Sequence, residues 1–157
     1  MTGKAPLVTL LCSAALVFAC GPRAHNDVAT GRDEPSRAER IAPNSPLAAS
    51  VDVRVEDEVR IAFEVMNAGK KKLEVNFPDG RTHDVVVLDS LGREVWRWSE
   101  GRMFTQTVQN RVLRTSDALR YEEAWESPAP GRYVAVVTLA SRNYPVERRT
   151  EFVVPQM

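Results

Sequence analysis

The sequence predicts an all-β fold, an antiparallel β-sandwich of about eight short strands filling residues 50–155. Three observations predict it. From Ser50 onward, apolar and polar residues alternate with a period of two. Clusters of Pro, Gly, Asp and Asn interrupt the alternation at roughly the 8–12-residue spacing of sandwich strands. No stretch longer than two helical turns carries an apolar stripe at a spacing of about 3.6 residues. A closed barrel built from the same strands is the alternative.

Val51, Val53 and Val55 share one face of the first strand, with Asp52 and Arg54 on the other. Asp57–Glu58 breaks the pattern. Val59, Ile61, Phe63 and Val65 then form a second strand that stops at Asn67–Ala68–Gly69. Leu73, Val75 and Phe77 give a third, closed by the turn signal Pro78–Asp79–Gly80. The segment from His83 to Leu88 is apolar on both faces, as a central strand is. Asp89–Ser90–Leu91–Gly92 turns it into Glu94 to Ser99. Leu119, Tyr121 and Trp125 mark another strand, and Pro128–Ala129–Pro130–Gly131 a turn. Tyr133, Ala135, Val137 and Leu139 follow, and Thr150, Phe152 and Val154 close the domain. One segment breaks the spacing. Glu100 to Asp117 reads either as short strands at Phe104–Val108 and near Val112–Leu113, or as a long loop, and long loops on compact domains often carry function.

Ahead of the domain, Lys4 precedes an apolar run from Leu7 to Ala19 that is too short to span a hydrocarbon core of about 30 Å. It fits the h-region of a signal peptide over residues 1–19. Leu16–Val17–Phe18–Ala19–Cys20 resembles a bacterial lipobox. That resemblance implies that Cys20 becomes the first mature residue, acylated (a palmitate-type chain) on its thiol and amino group. Several chains make a stable anchor, because each buried CH₂ contributes about 0.8 kcal/mol. Ordinary cleavage after Ala19 with a free Cys20 is the alternative. Gly21 in place of Asp resembles outer-membrane sorting, if the cell is Gram-negative. Residues 20–49 lack any period and almost any aliphatic weight, so they read as a disordered tether holding the domain off the membrane. The expected location is the cell envelope.

Lys and Arg number 21, and so do Asp and Glu, leaving no electrostatic footprint for nucleic acid. Lys70–Lys71–Lys72 is the single basic block, and it reads as a solvated hairpin tip rather than a membrane-surface patch. Cys12 and Cys20 both precede the domain, which therefore has neither disulfide nor thiol chemistry.

Nothing in the domain assembles catalytic chemistry. Its one histidine, His83, is followed by Asp84, but neighbours on a strand point to opposite faces and form no dyad. His83 reads as a satisfied strand-end residue, and His25 as an exposed tether residue. Zinc ligands at close spacing are missing, and the calcium trio Asp79, Asp84 and Asp89 is better read as turn residues accepting backbone N–H bonds. Glu122, Glu123 and Glu126 resemble a glycosidase carboxylate pair without the cleft that chemistry needs. The reading is a non-enzymatic protein with no catalytic residues, metal or cofactor. Trp96 and Trp98, two apart, project from one face of their strand and are expected to pack centrally with Phe104, Tyr121 and Trp125. The alternative turns one or two of these rings outward. Met103–Phe104, flanked by Gly101 and Arg102, is the better exposed apolar pair.

The segment from Asn67 to Gln106 resembles the BsuPI-type intracellular proteinase inhibitor family. The resemblance is carried by Phe63–Glu64–Val65–Met66–Asn67, by Phe77–Pro78–Asp79–Gly80 with Asp84, and by Trp96–Arg97–Trp98–Ser99–Glu100–Gly101 running on to Phe104–Thr105–Gln106. Trp125 and Pro130–Gly131–Arg132–Tyr133 fit as well, so it extends over Val51 to Val154. It implies an immunoglobulin-like β-sandwich and inhibition of a serine proteinase. The export signal moves the expected proteinase outside the cytoplasm, and fold transfers more readily than target. The partner-binding candidates are Met103 or Phe104, or Leu113–Arg114, entering a specificity pocket. The competing function is a structural or interaction lipoprotein that binds another envelope protein along an edge strand, with Glu147–Pro155 as that edge.

Overall fold

The computed structural model describes residues 44–156. The expected signal peptide, Cys20 and the tether up to residue 43 lie outside the described residues. Nine strands are present among the described residues: β1 (Leu47–Val55), β2 (Val59–Asn67), β3 (Leu73–Phe77), β4 (His83–Asp89), β5 (Glu94–Arg97), β6 (Gln109–Leu113), β7 (Ala118–Trp125), β8 (Gly131–Leu139) and β9 (Val146–Val154). All pairings are antiparallel. The sheets run β1-β2-β7, β3-β6 and β5-β4-β8-β9.

β1 begins three residues ahead of the expected domain start. Leu47, Ala48 and Ala49 show no alternation of their own, and their pairing with Asn67, Met66 and Val65 makes them a strand. The ninth strand, β6, falls inside the irregular segment 100–117. Phe104–Val108 is not a strand, whereas the strand expected near Val112–Leu113 extends back to Gln109. Its register on β3, from Leu73↔Leu113 to Phe77↔Gln109, is a long-range match that local periodicity does not encode.

The inward faces merge into one core. Val59, Ile61, Phe63 and Val65 of β2 meet Val75 and Phe77 of β3, Val85 and Val87 of β4, and Ala135, Val137 and Leu139 of β8. Each such aliphatic side chain contributes about 1.5–3 kcal/mol on burial, and no disulfide assists them. Aromatic rings join the two larger sheets. Trp96 stacks on Trp125 at 6.3 Å, and Trp125 meets the Tyr133 ring edge-on at 5.0 Å. Tyr133 Oη donates to the Ala129 carbonyl at 2.8 Å, the tyrosine-corner device of immunoglobulin-like sandwiches. The central packing expected for Trp96 and Trp98 is what the molecule has, with both half-buried against the core.

The sheet edges are guarded. β3 is covered by the β8–β9 connection, where Asn143 Nδ2 donates to the Glu74 carbonyl and Asn143 Oδ1 accepts from the Asn76 amide. β9 is an edge strand, as expected for Glu147–Pro155. Arg148 nonetheless crosses from it to β1, its Nε donating to the Ala49 carbonyl at 3.1 Å.

Candidate functional site

Residues 98–108, between β5 and β6, form the most exposed apolar projection of the domain. Two hydrogen-bonded turns start it, from Arg97 O to Glu100 N and from Ser99 O to Arg102 N. Gly101 takes φ +70° between them, a left-handed step that glycine makes without a Cβ penalty. Arg102 then folds back. Its guanidinium lies over the Trp98 ring at 4.8 Å, and its Nε donates to the Trp98 carbonyl at 2.8 Å. Phe104 packs against the same ring at 5.5 Å. The Thr105 carbonyl accepts the Gly80 amide hydrogen at 2.8 Å, latching the far side of the loop to the β3–β4 turn. Met103 lies between these anchored residues with 98% of its surface exposed.

A column of rings carries the loop. Phe104 rests on Trp98, Trp98 on His83 at 4.2 Å, His83 on Tyr121 at 4.0 Å, and Tyr121 on Phe63 at 6.0 Å. The column therefore runs from the loop through β4 to β7 and β2 of the opposite sheet. His83 is 5% exposed, and its Nε2 is 3.0 Å from Glu123 Oε1. Burial pushes the imidazole below its ordinary value, against the opposing pull of the Glu123 carboxylate. His83 is thus the satisfied strand-end residue that the sequence suggests, the first residue of β4, and its ring is stacked in the interior as well.

Asp84 points to the other face of β4, as strand alternation requires. It is 7% exposed and accepts from Arg97 Nη1 at 2.8 Å, Ser99 Oγ at 2.9 Å and the Val85 amide at 2.9 Å. Ser99 is the second residue of the loop, so Asp84 fixes the loop at its start. Arg97 is held more firmly protonated by Glu94 and Asp84. Two motifs that carry the family resemblance, Gly80 with Asp84 and Trp98–Ser99 with Gly101 and Phe104, are therefore the clamp of this loop.

The structure separates the four residues expected to bind a partner. Met103 projects, while Phe104 is half-buried and forms the loop's base. Leu113 is a correction: it is 4% exposed, an inward-facing β6 residue in the core, and its side chain cannot enter a partner's pocket. Arg114 is exposed, but it lies at the other end of β6, about 14 Å along a five-residue strand. Sequence reasoning missed the Gly80 latch and the ring column, because both join segments distant along the chain.

The carboxylates of the calcium trio are engaged separately. Asp79 Oδ1 accepts from the Arg81 amide, Asp89 Oδ1 from the Leu91 and Arg93 amides, and Asp84 from the groups above. The Arg93 bonds hold the Asp89 carboxyl below its usual range. Glu122 pairs with Arg60, while Glu123 turns inward to His83. Among the described residues, no three His, Cys, Asp or Glu side chains are grouped to hold a metal ion.

No curated protein sequence matches the chain. Solved structures similar to it include a β-glucosidase from Kluyveromyces marxianus, at 15% identity and TM-score 0.41, covering 70% of this chain and 14% of that one. A β-glucosidase from Erythrobacter marinus, EmGH1, shares 13% identity at TM-score 0.37, covering 74% of this chain and 15% of that one. This chain thus spans about one seventh of the length of those enzymes. The family model described as BsuPI, intracellular proteinase inhibitor, matches residues 47–144, from the first residue of β1 to the β8–β9 connection. The chain belongs to the BsuPI family of intracellular proteinase inhibitors.

Proposed function

We propose that this domain inhibits an extracytoplasmic serine proteinase by presenting Met103 at the tip of the 98–108 loop, and that Cys20 holds it at the cell envelope through a lipid anchor. The observation that carries the reading is the pairing of exposure with restraint. Met103 is 98% exposed between Arg102 and Phe104, both fixed on Trp98. A loop already ordered before binding loses little conformational entropy in a proteinase cleft. An unbranched apolar side chain at its tip suits a hydrophobic specificity pocket better than an acidic one. The reading therefore favours subtilisin-like or chymotrypsin-like targets over trypsin-like ones. Arg102 is the nearest cation, and it is engaged on Trp98.

The test is titration of the chain against purified subtilisin-like, chymotrypsin-like and trypsin-like proteinases. Stoichiometric inhibition of one of the first two, lost in Met103→Asp and retained in Arg114→Ala, is expected. Absence of inhibition in all three, with the chain uncleaved, overturns the reading in favour of an interaction lipoprotein. Intact mass of the chain recovered from membranes tests the anchor, with acyl chains on Cys20 as the expected result.

A further inference from the structure

We infer that the end of the domain where the chain arrives from Cys20 is a docking surface for an anionic lipid bilayer, built from Lys70, Lys71, Lys72 and Arg114. The inference rests on the lipid-anchor reading for its purpose, though not for its test. In sequence, the lysine run reads as the tip of a hairpin. In the structure, β2 and β3 belong to different sheets, so the run lies on a connection between them. All three lysines are exposed, and none makes an ion pair among the described residues.

One buried side chain assembles this end. Asn67 is fully buried; its Nδ2 donates to the Lys71 carbonyl at 2.8 Å and to the Leu113 carbonyl at 3.0 Å. Its Oδ1 accepts the Gly69 amide hydrogen at 2.9 Å. The lysine turn and the turn that begins at Arg114 are therefore pinned to the same residue. The arriving chain is pinned there too. The Pro46 carbonyl accepts the Ala68 amide hydrogen at 2.9 Å, and Pro46 packs so close that a Cβ on Gly69 would stand 3.0 Å from its own. Glu74 and Asp117 are the nearby acids, which leaves an excess of two positive charges in a chain whose formal net charge is zero.

An anionic surface attracts such cations within about a Debye length, roughly 8–10 Å at ordinary salt. An anchor at Cys20 would tether the domain through the chain that enters at Pro46, beside these cations, so this end has the shortest reach to the bilayer. Docking by this end has a consequence for the inhibitory loop. Lys72 adjoins the Leu73↔Leu113 end of the β3–β6 pair, whereas the Gly80–Thr105 latch adjoins the Phe77↔Gln109 end. The bilayer would then hold one end of that pair and leave the Met103 end free.

The test uses the exported chain from residue 20 onward with Cys20→Ser, so that neither an acyl chain nor the apolar run Leu7–Ala19 contributes, and vesicles of phosphatidylcholine with or without phosphatidylglycerol. Co-sedimentation at low salt is expected with the anionic vesicles only, and added salt is expected to abolish it. Each of Lys70→Gln, Lys71→Gln and Lys72→Gln is expected to weaken binding about five-fold. Arg132→Gln removes an exposed charge elsewhere on the domain and is expected to change nothing. Equal binding to both vesicle types overturns the inference, and so does an Arg132→Gln effect as large as that of the lysines. Intact mass of the natural chain reports Cys20 acylation independently, so failure of the anchor is distinguished from failure of the docking surface.

Discussion

Gly80 and Thr105 approach so closely that only glycine fits: a Cβ on Gly80 would stand 2.5 Å from Thr105 Oγ1 and 3.1 Å from its amide nitrogen. The hydrogen bond that the Gly80 N–H donates to the Thr105 carbonyl depends on that approach. Gly80→Ala is therefore expected to cost about 1–3 kcal/mol, as overpacking does, with the disturbance centred on residues 98–108. Hydrogen exchange read by mass spectrometry should show faster exchange in that loop while β2 and β8 stay protected. Uniform loss of protection would mean that the latch supports the whole fold and not the loop.

The two neighbours Met103 and Phe104 are expected to separate stability from inhibition. Met103→Ala removes a side chain in contact with solvent alone, so stability should stay within about 0.5 kcal/mol while inhibition falls. Phe104→Ala removes a ring from Trp98 and is expected to cost stability as well, about 1–3 kcal/mol given its half-burial. Denaturant unfolding of both variants beside proteinase titration checks this. Equal inhibition by Met103→Ala and the natural chain would remove Met103 from the role proposed for it.

The positions of the strands along the chain were legible because the strands are half-buried and alternate: Val59, Ile61, Phe63 and Val65 announce both β2 and the face it buries. The core reading of Trp96 and Trp98 followed from their spacing of two. The loop's architecture was not legible, although its residues were. Gly80, Asp84, Trp98, Ser99 and Phe104 stand out as a motif, but the bonds among them cross up to 25 residues of chain, from Gly80 to Thr105. Leu113 was misplaced for a related reason. Its neighbours Arg111, Val112 and Arg114 are all exposed, and its pairing with Leu73 turns it inward. Local pattern reports local structure, while burial at a sheet crossover depends on the partner strand.

His83 should make stability depend on pH. Burial lowers its folded pKa below the unfolded value of about 6.5, so the folded state favours the neutral ring. The stability this provides is present above about 6.5 and is lost as pH falls through the folded pKa, because the unfolded chain takes up the proton first. Denaturant midpoints measured from neutral pH downward should fall over this range, before the carboxylates titrate. His83→Gln loses a stacked ring and starts from lower stability, but its midpoint should be flatter over the same interval. An unchanged slope would assign the effect to another group.

Asn67 tests whether the basic end is an ordered structure. Its amide group makes three hydrogen bonds at full burial, two as donor and one as acceptor. Asn67→Ala strands the Lys71 and Leu113 carbonyls and the Gly69 amide, and is expected to cost about 2–4 kcal/mol. Asn67→Asp keeps the size and one acceptor oxygen but loses both donors, and it faces the two carbonyls with negative charge. It should therefore be at least as damaging as alanine near neutral pH, a ranking that side-chain volume alone would reverse. Chemical unfolding of both variants decides between the two. If aspartate is the milder substitution, the donors of Asn67 are not what joins the two turns.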